Sequence, residues 1–193
     1  MPQASPLAAR MALFVGFFLL YMAGSPAVAE NGKPTEFQVK AAYLYNFGKF
    51  VTWPPEFTEQ QPSFNICVLG ADPFGASLDQ IVKGERLGGK PATVRRISSP
   101  VEADNCAIVF IAGSEERKLA DVLPALARHH VLTVSDIPSF TDRGGIIGFV
   151  MEGDRVRFAV NQTAAQDAGL DLSSELLKVA VSVKRADEKG KQD

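Results

Sequence analysis

Cys106-Ala107-Ile108-Val109-Phe110-Ile111-Ala112 is a run of seven uncharged residues, followed at once by Gly113, Ser114 and the acidic pair Glu115-Glu116. A continuous apolar run bounded by turn chemistry is what a central parallel strand, covered on both faces, requires. Ser114 is positioned to cap a helix, with Glu115 and Glu116 in its first turn, where the helix dipole favours acids. Pro124 falls inside that helix and interrupts it. Working outward, Phe64–Leu69 (FNICVL) reads as another strand running into Gly70-Ala71-Asp72-Pro73. There Asp72 caps a helix and Pro73 opens it, with Phe74, Leu78, Ile81 and Val82 on the buried face. Pro91–Ile97 is a further strand, its Arg95 and Arg96 marking an exposed face, and Val131–Val134 is a fourth. Strands and helices alternating at this spacing predict an α/β fold: a single domain whose largely parallel sheet carries helices on both faces.

The flanks complete the pattern. Thr35 and Gln38 form a capping box, so a helix starts there, and Phe37, Ala41, Leu44, Gly48 and Val51 recur at helical spacing until Trp53-Pro54-Pro55 ends it. Its many aromatics fit a core-facing helix better than a ligand-stacking platform. Near the other end, Gly145–Met151 and Arg155–Val160 flank Glu152-Gly153-Asp154, an antiparallel C-terminal hairpin. Asn161 opens a short helix, Asp171–Val183 reads as another, and Ala186–Asp193 forms a charged, flexible tail.

Residues 1–29 have the form of a secretory signal peptide. Arg10 precedes an apolar run, Met11–Met22, that is too short to span a bilayer, and Ala27-Val28-Ala29 forms a cleavage site. Their removal leaves residues 30–185 as the domain and 186–193 as the tail. The mature chain keeps 19 of 20 basic residues against 22 acidic ones, a net charge of −3. Without a basic block, nucleic acid and anionic lipid are poor partners. Cys67 and Cys106 are the two cysteines, an even count that suits an oxidising compartment. On adjacent parallel strands they are within bridging reach, and closing a loop of about 40 residues stabilises by roughly 4 kcal/mol. The other reading is two buried free thiols.

Catalytic patterns are scarce. Gly70–Gly75 stands where phosphate-binding loops stand but lacks their spacing, and Asp72 repels phosphate. Gly113-Ser114 is half a nucleophile elbow without its second glycine. His129 and His130 are the two histidines; as strand neighbours they point to opposite faces and form no simple metal pair. No nucleophile–base–orienter set is visible, so an enzyme reading ranks last and neither cofactor nor metal is expected. Two features exceed a structural account. The loop Ser135–Gly145 carries Asp136, Asp142 and Arg143 at the sheet end where α/β folds hold ligands, so a small polar ligand is one reading and a plain connection the other. Ile146–Met151 is apolar on both alternating faces. Either Ile147 and Phe149, with Arg155 and Arg157 on the second arm, face a partner protein or a second copy of the chain, or the C-terminal helices bury them.

Several segments together resemble the YfiR-like family: Phe37–Phe47 with Lys49–Pro54, Cys67–Gly70 with Asp72–Gly75, Val131–Asp136, Gly144–Val150, Arg157-Phe158 to Asn161, and Leu170–Leu177. The resemblance runs in order along nearly the whole mature chain. It implies a periplasmic, non-catalytic regulator that binds the periplasmic sensing domain of an inner-membrane diguanylate cyclase and represses it. Cyclic-di-GMP and biofilm output fall as a result, and an outer-membrane protein can sequester the regulator. A periplasmic small-ligand sensor is the alternative. Cys67 and Cys106 match the family's core disulfide. In its best-understood member a second pair lies near the positions of Thr141 and Gly148, which are not cysteines here. Export should remove residues 1–29; mass spectrometry of the periplasmic protein is expected to find Glu30 at its N-terminus, and an intact Met1 in the membrane fraction would refute this.

Overall fold

Strands β2 (Phe64–Leu69) and β5 (Ile108–Ile111) lie parallel, Ile66 opposite Ile108 and Leu69 opposite Ile111, at the heart of an eight-stranded sheet. The computed structural model describes residues 34–186; the expected signal peptide and most of the tail lie outside them. The chain first forms α1 (Glu36–Phe50), β1 (Val51–Thr52) and α2 (Pro55–Gln60). After β2 come α3 (Ala76–Val82), β3 (Arg86–Leu87) and β4 (Lys90–Ile97), and after β5 come α4 (Leu119–Leu126) and β6 (Leu132–Ser135). The hairpin strands β7 (Ile147–Glu152) and β8 (Arg155–Asn161) follow, then α5 (Gln162–Asp167), β9 (Asp171–Leu172), α6 (Ser174–Val179) and β10 (Ser182–Lys184). The sheet order is β10-β8-β7-β6-β5-β2-β4-β3; β4, β2, β5, β6 and β7 are mutually parallel, and β8 is antiparallel to β7.

The alternation of strand side chains divides the interior in two. Ile66, Val68, Ile108 and Phe110 join α1 and α3 in one core. Cys67, Leu69, Val109 and Ile111 face α4 through Leu119, Val122 and Leu126 in the other. The α/β expectation and the two-sided cover therefore hold. On the α4 side Cys67 and Cys106 form a disulfide, their Cα atoms 5.9 Å apart and both fully buried.

The capping box forms as read: Thr35 accepts from the Gln38 N–H while Gln38 Oε1 accepts from the Thr35 N–H. Three local expectations are corrected. Asp72 caps no helix; its Oδ1 accepts from the Phe74 N–H at 2.7 Å in a tight turn, and α3 begins later, after Gly75. Ser114 does not cap either, because a 3-10 turn (Gly113–Lys118) intervenes before α4. Pro124 does lie inside α4, which runs on to Leu126. The helix read over Asp171–Val183 is three elements, since β9 pairs with β1 and β10 adds to β8 in parallel. Free-thiol labelling of denatured, unreduced protein should find no reactive cysteine, and Cys67→Ser should lower unfolding stability by roughly 2–5 kcal/mol in denaturant titration.

Candidate functional site

Successive crossovers from β2 go to opposite sides, first to β4 and then to β5. That reversal places a crevice between the C-terminal ends of β2 and β5, where doubly wound folds take ligands. Here the chain fills it. Ser114 Oγ accepts from the Ala71 N–H at 3.0 Å and donates to Glu115 Oε1 at 3.2 Å. Glu115 in turn pairs with Lys118 at 3.1 Å. A Cβ on Gly70 would lie 2.4 Å from Ser114 Oγ and 2.9 Å from the Glu115 side chain, so only glycine fits. Alongside, Arg96 bridges Asp72 at 3.0 Å and Asp79, and its guanidinium holds the Asp79 carboxyl below the usual range.

The three loop residues offered as a ligand site diverge to three separate partners. Asp136 Oδ2 accepts from Lys40 Nζ at 2.6 Å. Lys40 is a lysine in the interior: its side chain is 3 % exposed, also pairs with Glu36, and lies 4.8 Å from the Phe37 ring centre and 5.8 Å from that of Phe149. Sequence reasoning missed it, although a cation three residues after Phe37 and four before Leu44 falls on the buried stripe of α1 and demands a buried carboxylate. Asp142 lies 3.8 Å from Lys184, while Arg143 reaches Glu116 at 3.4 Å and donates to its carbonyl at 3.0 Å. The loop is pinned by Phe140, whose ring would stand 2.1 Å from a Cβ on Gly145.

On the hairpin, Ile147 and Phe149 are core residues, 0 % and 6 % exposed. The expected exposed apolar face is thus corrected: β10 and β8 lie beyond β7, and α1 covers it. Phe149 meets Tyr43 and Phe47 at 5.9 Å each, and Phe158 meets Phe47 at 5.1 Å. Arg155 stays exposed, and Arg157 sits 3.9 Å from Glu152. Exposed apolar surface lies instead at Val150 and Met151, 36 % and 46 % exposed. Two open grooves flank the cores. One, about 440 Å³, lies between α1 and α6 beside Phe50 and Val179; the other, about 470 Å³, lies between α4 and α5 and includes Arg143 and Gly144. His129 approaches Asp104 at 3.1 Å and His130 Nδ1 donates to the Ala168 carbonyl at 2.8 Å, so the two part company. Among the described residues, no three His, Cys, Asp or Glu side chains gather as a metal site, and no helix is long and apolar enough to cross a membrane.

A model of the YfiR/HmsC-like family matches residues 37–181, from the first turn of α1 to the residue before β10. The chain belongs to this family. YfiR/HmsC-like membership supports a periplasmic regulatory protein rather than a catalyst. Thr141 and Gly148 adjoin, since a Cβ on Gly148 would lie 3.5 Å from Thr141 Cγ2. Among solved structures, a conserved domain protein from Vibrio cholerae O1 biovar El Tor strain N16961 is similar at TM-score 0.52 and 10 % identity. The match covers 79 % of this chain but 62 % of that one, so this chain spans less than two-thirds of its length; the likeness is one of fold. The ABC domain in complex with L-Trp from Streptococcus pneumonia is more distant, at TM-score 0.48 and 12 % identity over 76 % of this chain and 60 % of that one.

The Lys40 pair gives a direct test. Asp136→Ala leaves a buried cation short of a partner and should cost about 2–3 kcal/mol. Lys40→Met, which fills similar volume without charge, should cost distinctly less in the same urea titration; a larger loss would mean that the ion pair itself supplies net stability.

Proposed function

We propose that this chain is a non-enzymatic periplasmic regulator that binds the periplasmic sensing domain of an inner-membrane diguanylate cyclase and represses it. Cyclic-di-GMP and biofilm output fall in consequence. The family match over residues 37–181 carries this reading. It is supported by a ligand crevice filled with Ser114 and Glu115 and by loop carboxylates committed to internal partners. In this reading residues 1–29 direct export, residues 30–185 form the regulator and an outer-membrane protein can sequester it.

The partner surface is the tip of the β7–β8 hairpin. Val150 and Met151 supply exposed apolar area beside Arg155 and Arg157. Burying a charge at such a contact costs several kcal/mol without touching the core. The second reading, a small-ligand sensor, is favoured by one observation: the open groove beside α4 includes Arg143 and Gly144 of the loop.

Deleting the gene should raise cyclic-di-GMP only in cells with the cyclase. In pull-downs with the cyclase's periplasmic domain, Met151→Asp and Val150→Asp should remain folded and bind at least tenfold more weakly. Ile147→Asp should unfold. Full binding by both tip variants would move the interface elsewhere, and no binding by the wild type would leave the sensor reading.

A further inference from the structure

The face of the sheet that carries the disulfide is covered by one short α-helix, α4, together with Ala103, Ile137 and Phe140. Between α4 and α5 this leaves a groove of about 470 Å³, a volume typical of small-molecule sites. Its base is formed by Val131, Thr133 and Ile146, all buried. Leu123 and Ala127 line the α4 wall, and Ala164 and Ala168 line the α5 wall. These alanines hold the groove open, because a larger side chain at any of them would fill it.

The charges at the groove are unequal. Arg143 is already neutralised by Glu116 at 3.4 Å. Asp167, exposed on the α5 wall, has no cation within ion-pair distance among the described residues. His130, next to it, donates its Nδ1 hydrogen to the Ala168 carbonyl. Pro124 has no N–H, so the Ala120 carbonyl four residues earlier lacks its helical donor, and both residues line the groove. An apolar trough edged by a carboxylate that has no ion-pair partner among the described residues complements a molecule with an apolar body and a positive end.

We propose that the α4–α5 groove binds a small apolar ammonium, its hydrocarbon or aryl body against Val131, Ile146 and Leu123 and its ammonium on Asp167. The site is separate from the hairpin tip and stands whether or not the cyclase reading does. The test uses the purified protein with phenethylammonium as probe and its anionic counterpart 3-phenylpropanoate as control, read by amide chemical-shift titration. Saturable shifts are expected at Leu123, Ala164 and Asp167 with the ammonium, and none with the anion. Asp167→Asn, at an exposed position, should stay folded by circular dichroism and weaken binding about tenfold. Ala120→Trp, exposed on α4, should fill the groove and abolish the shifts. No saturable shift with the wild type, equal binding of the anion, or unchanged affinity in Asp167→Asn would each overturn the proposal.

Discussion

The side chains of β2 and β5 alternate between two interiors, and that alternation obliges the rest of the chain to cover both. Ile66, Val68, Ile108 and Phe110 need an apolar roof on one side; Cys67, Leu69, Val109 and Ile111 need one on the other. Each such side chain contributes about 1.5–3 kcal/mol on full burial, whereas an exposed ion pair contributes at most about 1 kcal/mol. The aromatic stripe of α1 answers the first demand, with Phe47 stacked on Phe149 and edge-to-face with Phe158. On the second side α4 covers less, and there the disulfide adds a covalent tie.

This demand explains what could be read in the residues and what could not. The run Cys106–Ala112 announces a doubly covered strand because it is too short for a buried helix, is rich in β-branched residues and is closed at once by Gly113. The Thr35–Gln38 box announces α1 because its hydrogen bonds are local. Ile147 and Phe149 were ambiguous because period-two alternation shows that two faces are apolar without showing which neighbours cover them. Their burial depends on Tyr43 and Phe47, some hundred residues away. Likewise β10 has three residues, too few for a period, and becomes a strand only because β8 offers it an edge. Lys40 and Asp136 are separated by 96 positions, so no local pattern joins the helix lysine to the loop carboxylate that reads as a ligand candidate.

The same packing bears on function. In a doubly wound sheet the crevice at the strand reversal is the usual seat of chemistry. In this YfiR/HmsC-like protein the crevice is closed by a serine, a glutamate and a glycine with no room for a Cβ. What the fold leaves open is peripheral: the hairpin tip, and grooves where short helices fail to cover a broad sheet. Such surfaces suit recognition, in which a partner or small molecule is held and released unchanged.

The sheet's two outermost strands are its shortest. β3 has two residues and β10 three, and Arg86, Lys184 and Arg185 stand on or next to them. Long, flat, uncharged borders invite neighbouring molecules to continue a sheet, the first step toward fibrils. Beyond their reach the outer edges of β4 (Ala92–Ile97) and β8 (Arg155–Phe158) carry Arg95, Arg96, Arg155 and Arg157, like charges that an identical copy would bring against its own. Pairing of these borders between two copies would therefore set arginine against arginine.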